Sequence, residues 1–150
     1  MLLSKACVYG IRASLFMASS ENSDYMPIKQ ISERLDISHH FLTKILQELT
    51  KSGLVESLKG PRGGVRLKKE GDAITLIEVV DAIDGMDLLT ECALGLPGCG
   101  VEKPCPLHDQ WAETRDEIKE MLEQTSLAEL AGKGKEGNLR ITPEGGFDWD

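Results

Sequence analysis

The sequence predicts a mainly α-helical protein with a small β-hairpin: a winged helix-turn-helix domain followed by a long amphipathic helix. Three observations support this fold class. Residues 27–52 contain two short runs of apolar residues at helical spacing, separated by a three-residue turn. A turn rich in Gly and Pro at residues 59–64 joins two segments that alternate between apolar and polar residues, which is typical of a hairpin. Residues 107–122 then carry apolar side chains at the spacing of one long helix.

The first helix is predicted over residues 4–19, because apolar residues such as Cys7, Ile11 and Leu15 recur there at helical spacing. We interpret Cys7 as a small core side chain on the inner face of this helix, since a buried free cysteine behaves as a small apolar residue. A ligand role for Cys7 across a dimer is the weaker alternative.

The helix-turn-helix is predicted from Pro27 to Ser52. A proline suits a helix start, because its missing N–H costs nothing there, so the second helix is expected from Pro27 to Leu35. Ser38 is a suitable N-cap for the third helix, and Gly53 suits the position just past its end. The residues expected to point inward from the third helix are Phe41, Leu42, Ile45, Leu46 and Leu49.

The wing is predicted as strands Val55–Leu58 and Val65–Leu67 around the turn. Beyond it, Thr75 and Glu78 form a capping-box pattern that begins a helix ending near Ile83, and Ser126 opens a short helix in the same way. The predicted divisions are residues 1–70 for the winged helix-turn-helix domain, 71–86 for a connecting helix, 87–106 for a loop without helical periodicity, 107–131 for the long helix and a short C-terminal helix, and 132–150 for a mobile tail.

The charge is distributed unevenly, although the net charge is −8. Residues 1–69 hold 11 Lys and Arg against 6 Asp and Glu, a net of +5, whereas residues 70–150 hold 6 against 19, a net of −13. We therefore expect that only the first half approaches a polyanion such as DNA. An unevenly charged solvated surface is the alternative.

Several classes of protein are not expected. No apolar run of about 18 residues is present, so we expect no membrane span. The first residues lack the apolar run and cleavage site of a signal peptide, which predicts a cytoplasmic location. We find no nucleophile–base arrangement and no phosphate-binding glycine loop, and therefore expect no enzymatic activity.

The third helix and the wing carry the residues that we expect to bind DNA. The first residues of such a helix meet base edges in the major groove, and a glycine-rich hairpin tip can approach the phosphate backbone or the minor groove closely. An ordinary solvated helix start and turn are the alternative. The candidates are Ser38, His39, His40, Thr43, Lys44 and Gln47 for the bases, Lys51 for a phosphate, and Lys59, Arg62 and Arg66 in the wing.

The strongest chemical signal is the pattern Cys92-x6-Cys99-x5-Cys105-x2-His108. Thiolates select iron–sulfur clusters, zinc or cuprous copper, and three thiolates with one imidazole suit either a zinc site or a cluster with mixed ligands. The spacings are wider than those of a zinc knuckle, which favours the cluster over zinc. Incidental cysteines in a flexible loop, and a surface role for His108, are the remaining alternatives.

Several motifs resemble those of the Rrf-type iron–sulfur regulators, a winged-helix family with IscR-like and NsrR-like members. The resemblance covers about residues 1–130 and excludes the tail. The motifs are Leu3-Ser4-Lys5-x3-Tyr9-Gly10-Ile11-Arg12, Ile31-Ser32-Glu33-Arg34-Leu35, Gly53-Leu54-Val55, Lys59-Gly60-Pro61-Arg62-Gly63-Gly64, and Cys105-Pro106-Leu107-His108 with Trp111.

This resemblance implies a homodimer in which the long helix is the dimerisation helix, and a pseudo-palindromic operator. It also implies a cluster on the three cysteines of the loop, with His108 at the position of the fourth ligand in IscR-like members. The acidic ligand of NsrR-like members has no counterpart, because residues 6–8 are Ala-Cys-Val. The first cysteine gap is one residue longer than in IscR, and Thr43 stands where IscR carries a glutamate, so neither cluster type nor base preference carries over.

The sequence therefore predicts a DNA-binding transcription regulator that senses redox state, nitric oxide or iron–sulfur status through a bound cluster, with [2Fe–2S] slightly favoured over [4Fe–4S]. One alternative is a winged-helix regulator with a structural zinc. The other is a small electron-transfer or cluster-carrier protein. Target genes, the direction of regulation and the signal stay open.

Overall fold

The computed structural model describes residues 2–21 and 23–147. This part of the chain is mainly helical with a single two-stranded antiparallel sheet, which confirms the predicted fold class. The elements are α1 Lys5–Ser19, α2 Ile28–Leu35, α3 His39–Lys51, β1 Val55–Leu58, β2 Gly64–Leu67, α4 Leu76–Ile83, α5 Asp87–Thr90, α6 His108–Gln124 and α7 Leu127–Glu136, with a short 3₁₀ turn at Gly71–Ala73 before α4.

Helix α1 lies at the centre of the fold and packs against α2, α3, α4 and α7. The packing is close at Gly10, where a Cβ atom would lie 2.2 Å from the end of the Ile83 side chain and 3.3 Å from Ile45. The absence of a side chain at Gly10 thus lets α3 and α4 pack on the same point of α1. Cys7 is 0% exposed beside this point, which confirms its interpretation as a core residue.

The start of α1 is bound to the end of α4 through Asp84. The Ser4 hydroxyl accepts a hydrogen bond from the Cys7 N–H at 3.0 Å and so caps the helix. The Ser4 N–H donates to the Asp84 carboxylate at 2.9 Å, and the Ser4 hydroxyl donates to the same carboxylate. Because a carboxylate is favourable at the positive end of a helix, this contact fastens α1 to the chain just before the cysteine loop.

The helix-turn-helix forms where the sequence predicts it. Helix α2 ends at Leu35, and the next residue, Asp36, adopts a left-handed φ of 53° and turns the chain. The Ser38 hydroxyl accepts from the Phe41 N–H at 3.2 Å, so α3 begins at His39. Phe41 is only half-buried, and its ring packs edge-on against Tyr9 with centroids 5.7 Å apart. The inward side chains of α3 that are at most 2% exposed are Leu42, Ile45, Leu46 and Leu49.

The wing is joined to the chain that leads into α2. Strand β2 begins at Gly64, one residue earlier than predicted, because Gly64 pairs with Leu58. Met26 pairs with Val65 on the other edge of β2 through two backbone hydrogen bonds of 2.8 and 2.9 Å. A Cβ atom at Gly64 would lie 2.1 Å from the Met26 carbonyl oxygen, so this approach requires glycine.

The second half contains one more backbone bridge. The capping box of α4 is present, with the Thr75 N–H donating to Glu78 at 2.8 Å. The Leu76 N–H donates to the Thr125 carbonyl, and the Leu127 N–H donates to the Ile74 carbonyl, both at 2.9 Å. The start of α4 is therefore paired with the junction between α6 and α7.

Two segments differ from their predicted structure. The loop expected at residues 87–106 begins with the one-turn helix α5, which buries Leu89 and is too short to show periodicity in the sequence. Residues 132–147, predicted as part of a mobile tail, are helical to Glu136 and then fold back, burying Ile141 and Phe147, whereas residues 148–150 of the predicted tail lie outside the described residues. None of the helices described combines the length and the apolar composition that a membrane span requires.

The packing of the C-terminal segment predicts a loss of stability in Phe147→Ala. The Phe147 ring lies over Gly134, where an added Cβ would be 2.1 Å from it, and the side chain is 6% exposed. Emptying this position should lower the free energy of unfolding by about 3 kcal/mol, measured by urea denaturation. Leu139→Ala is the matched control, because Leu139 is 53% exposed. Equal stability of the two variants would show that the packing of Phe147 contributes nothing to the free energy of unfolding.

Candidate metal centre and nucleic-acid interface

Helix α3 presents a polar face opposite its buried side. The exposed residues at its N-terminal end are Ser38, His39 and His40, followed by Lys44 and Gln47 one turn further. Thr43 is half-buried, and its hydroxyl donates to the His39 carbonyl at 2.8 Å. The helix therefore offers hydroxyl, imidazole, amide and ammonium groups at the end that would enter a groove.

Lys51 lies at the other end of α3 and forms an exposed pair with Glu48 at 3.3 Å. Because exposed pairs of this kind contribute little, Lys51 stays available for a phosphate.

The basic residues of the wing fall into two groups. Lys59 and Arg62 lie exposed at the tip, and neither forms an ion pair within residues 2–21 and 23–147. Arg66 lies in β2, where its Nε donates to the Glu56 carboxylate at 2.6 Å. The structure thus brings two of the three predicted wing cations to the tip and holds the third within the hairpin.

A groove between the wing and the start of α2 adds a residue that the sequence analysis did not identify. Lys29, His39 and Lys59 all line this groove. Lys29 is exposed and lies 3.9 Å from Glu33. The sequence could have indicated Lys29, because it lies two residues after Pro27, at a helix start that would face a phosphate.

The loop between α5 and α6 gathers the three predicted cysteines. The sulfur atoms of Cys92, Cys99 and Cys105 all lie within 4.8 Å of one another, and Cys92 and Cys105 are separated by 3.5 Å. The Cys105 N–H donates to the Cys99 sulfur at 3.4 Å. This stretch of chain therefore folds so that soft donors converge on one point.

His108 lies beside this group, in the first turn of α6. Its Nδ1 is 3.6 Å from the Cys99 sulfur, and its side chain is half-buried. It lies beside the three sulfurs but is not part of the group whose ligand atoms all lie within 4.8 Å of one another.

Two side chains of α6 fix the beginning of the loop. The Trp111 indole N–H donates to the Glu91 carbonyl at 2.9 Å, and Arg115 donates to the same oxygen at 3.2 Å. The residue before Cys92 is thus held on α6. Trp111 was identified in the sequence as part of a family motif, but this role in holding Glu91 was not predicted for Trp111 or Arg115.

The thiols differ in acidity. Hydrogen bonds from the Leu96 and Leu94 N–H groups, opposed by partial burial, lower the pKa of Cys92 to about 7. The pKa of Cys99 is raised, since the Cys105 N–H lowers it but burial and the two neighbouring thiols outweigh that effect. Burial, with a smaller contribution from Asp84, raises the pKa of Cys7 to about 12.

The residues present fit a thiolate-bound metal or cluster. The three sulfurs converge, and the backbone N–H groups directed at Cys92 favour its charged thiolate form. Such a donor set selects an iron–sulfur cluster, zinc or cuprous copper over the hard cations that prefer oxygen.

The pKa values predict selective labelling of the reduced, metal-free chain by iodoacetamide. Because the thiolate is the nucleophile, Cys92 should react first, at a rate that falls as the pH drops through about 7. Cys7 should stay unlabelled at neutral pH, since it is buried and protonated. Peptide mapping by mass spectrometry measures both rates.

Unfolding in guanidinium chloride is the control, because all four thiols should then react alike. Labelling of Cys7 in the folded chain as fast as that of Cys92 would contradict this description of the two thiols.

Comparisons with known proteins identify the chain as a transcriptional regulator. The family model Rrf2, described as an iron-dependent transcriptional regulator, matches residues 3–133. The HTH-type transcriptional regulator IscR of Erwinia tasmaniensis is 36% identical over 122 residues, which cover 81% of this chain and 73% of that protein. IscR of Escherichia coli is 34% identical over 81% of this chain and 75% of its own.

Solved structures show the same fold. CymR of B. subtilis, described as the global cysteine regulator, superposes with a TM-score of 0.72 at 26% identity, covering 87% of this chain and 95% of that one. T. potens IscR superposes with a TM-score of 0.71 at 23% identity over 92% and 91% of the two chains. The matched proteins are transcriptional regulators rather than enzymes, in agreement with the expectation from the sequence. With a family match over residues 3–133 and these relatives, the chain belongs to the Rrf2 family of transcriptional regulators.

Proposed function

We propose that this chain is a cytoplasmic, homodimeric regulator that binds a pseudo-palindromic DNA operator and holds an iron–sulfur cluster on Cys92, Cys99 and Cys105. The observation that carries the cluster is the convergence of the three sulfurs within 4.8 Å. The IscR relatives and the description of the family as iron-dependent support it. His108 is the proposed fourth ligand, and [2Fe–2S] is preferred because an imidazole beside three thiolates suits mixed ligation.

The DNA interface consists of the exposed face of α3 and the tip of the wing. The first turns of α3 would meet base edges in the major groove, while Lys59 and Arg62 contact phosphates or the minor groove. Thr43, whose hydroxyl is engaged within the helix, would offer mainly its methyl group. The proposed contacts in α3 are Ser38, His39, His40, Thr43, Lys44, Gln47 and Lys51.

A bound cluster would supply a group that reacts with oxidants and nitric oxide. The residues of the loop would bind the cluster and set the conformation of the chain around it. Three thiolates on one group would close the loop from Cys92 to Cys105, and the Glu91 carbonyl would keep its start on α6 through Trp111 and Arg115. Once the thiolates are released, the start of the loop would still be held on α6 by these hydrogen bonds.

The fold provides a route from the loop to the DNA-binding surface. Asp84 lies at the end of α4, eight positions before the first loop cysteine, and holds the start of α1. A change in the loop would therefore alter the separation or order of the two recognition helices of a dimer. Such coupling requires that the cluster bind one arrangement of the chain better than the other.

The dimer is proposed from the apolar residues that α6 leaves uncovered. Leu122 is the one α6 residue that is fully buried, whereas Met121 is 56% exposed. A long helix with a single buried position gains stability when a second copy covers its remaining apolar side chains.

Met121→Glu should therefore shift the protein from dimer to monomer in analytical ultracentrifugation, because it places a charge in the proposed interface. Leu139→Glu is the control, since Leu139 is equally apolar and 53% exposed but lies outside α6. A Met121→Glu variant that stays dimeric, or a monomeric wild type, would refute this interface.

The proposed cluster predicts coloured protein. Chain purified without oxygen should absorb visible light and contain iron and acid-labile sulfide in equal numbers. The number of iron atoms per chain then sets the cluster type. Cys99→Ala should lose the colour and change operator affinity. Cys7→Ala is the matched control and should keep both, because Cys7 lies in the core.

Other outcomes would support other functions. Colourless protein that contains zinc and takes up no cluster on reconstitution would make it a regulator with a structural metal. A cluster-free Cys99→Ala variant that binds the operator like the wild type would disprove the switch. A coloured protein without steeply salt-dependent affinity for any duplex would be an electron-transfer or cluster-carrier protein.

A further inference from the structure

Arg66 occupies an unusual position for a cation of a DNA-binding wing. It lies in β2 directly opposite Glu56 of β1, and its Nε donates to the Glu56 carboxylate at 2.6 Å. The pair is half-exposed, at 40% and 35% of the two side chains. Opposite charges that face each other across a hairpin stabilise its register.

The same guanidinium also contacts the chain between α1 and α2. Its central carbon lies 4.3 Å from the centre of the Tyr25 ring, within the range of a cation–π interaction. Its Nη1 donates to the Ser23 carbonyl at 3.4 Å. One edge and one face of the group are therefore engaged, and these interactions join three segments: β1, β2 and the α1–α2 loop.

The neighbouring backbone forms the other part of this connection. Met26 and Val65 exchange two hydrogen bonds immediately beside Arg66. This backbone pairing fixes the distance between the wing and the loop at one residue, while the base of the hairpin packs against α1 and α3. The side-chain interactions of Arg66 lie one residue further along β2 and add a second attachment between the wing and the loop.

We propose that Arg66 is a positioning residue, which holds the wing against the α1–α2 loop so that Lys59 and Arg62 at the tip reach the DNA backbone. This inference rests on the proposed DNA binding and replaces the expectation that Arg66 itself contacts DNA. A phosphate contact by Arg66 would require it to leave Glu56, Tyr25 and Ser23 together. Lys59 and Arg62 have no such partners within the described residues.

The test is the salt dependence of duplex binding by the full chain. The plot of log affinity against log salt concentration has a negative slope. The magnitude of this slope decreases by about 0.9 for each phosphate that the protein no longer neutralises. Arg62→Gln should lower the slope in this way. Arg66→Gln should weaken binding by about fivefold, the effect of an exposed but well-formed ion pair, and leave the slope unchanged.

Glu56→Gln is expected to change affinity in opposite directions under the two explanations. If net charge alone mattered, removal of a carboxylate from the wing would tighten DNA binding. If the ion pair with Arg66 holds the wing, Glu56→Gln weakens binding about as much as Arg66→Gln, and the double variant is no weaker than either one. Circular dichroism and thermal denaturation of each variant confirm that the fold is retained.

An Arg66→Gln slope that falls as far as that of Arg62→Gln, or tighter binding by Glu56→Gln, would overturn the proposal. Amide hydrogen exchange of the free protein provides a readout without DNA. Exchange at Val65 and Met26 should accelerate in Arg66→Gln and stay unchanged in Arg62→Gln. If the wild type binds no duplex, the proposed function fails, whereas this exchange result still decides whether Arg66 holds the wing.

Discussion

The close packing of α3 and α4 on α1 at Gly10 is the constraint on which the rest of the structure depends. Ile45 belongs to α3, the proposed recognition helix, and Ile83 is the last residue of α4, which leads to the cysteine loop. Both side chains therefore lie against α1 at a single backbone position. A methyl group on Gly10 would displace Ile83, because the 2.2 Å separation leaves no space for it. Because packed interiors transmit strain, this shared contact is where the proposed coupling would link α4 to α3.

The chain that follows α4 makes three further contacts before it reaches the cysteines. Asp84 binds the start of α1, α5 buries Leu89, and the Glu91 carbonyl is held by two side chains of α6. Each interaction is weak by itself, but they follow one another closely along the chain. The cysteine loop is thereby attached both to the helix that supports α3 and to the helix proposed to form the dimer.

Local signals account for what the sequence could predict. Ser38, the Thr75–Glu78 capping box and the turn of the wing act through neighbouring residues, and the structure places helix starts and strands where they indicate. The convergence of three cysteines was also foreseeable, because thiol chemistry restricts what such a group can do. The fold of residues 137–147 depends on the packing of Phe147 on Gly134, which no periodicity encodes. The interactions of Arg66 could not be predicted either. Its partners Ser23 and Tyr25 are distant in sequence, and only Glu56 is a neighbour across the hairpin.

The basic residues of the wing fall into two groups, some near acidic residues at its base and others at its tip without an ion pair among the described residues. Five basic residues within residues 59–69 would repel one another and weaken a hairpin of short strands in the absence of DNA. At the base of the wing, Arg66 is paired with Glu56 and Lys69 lies 3.7 Å from Glu78, so two of the three cations there have an acidic neighbour within the protein. The tip, by contrast, keeps its charge free for phosphates. The hairpin can thus be stable before binding and still contribute affinity, because stability and attraction depend on different residues.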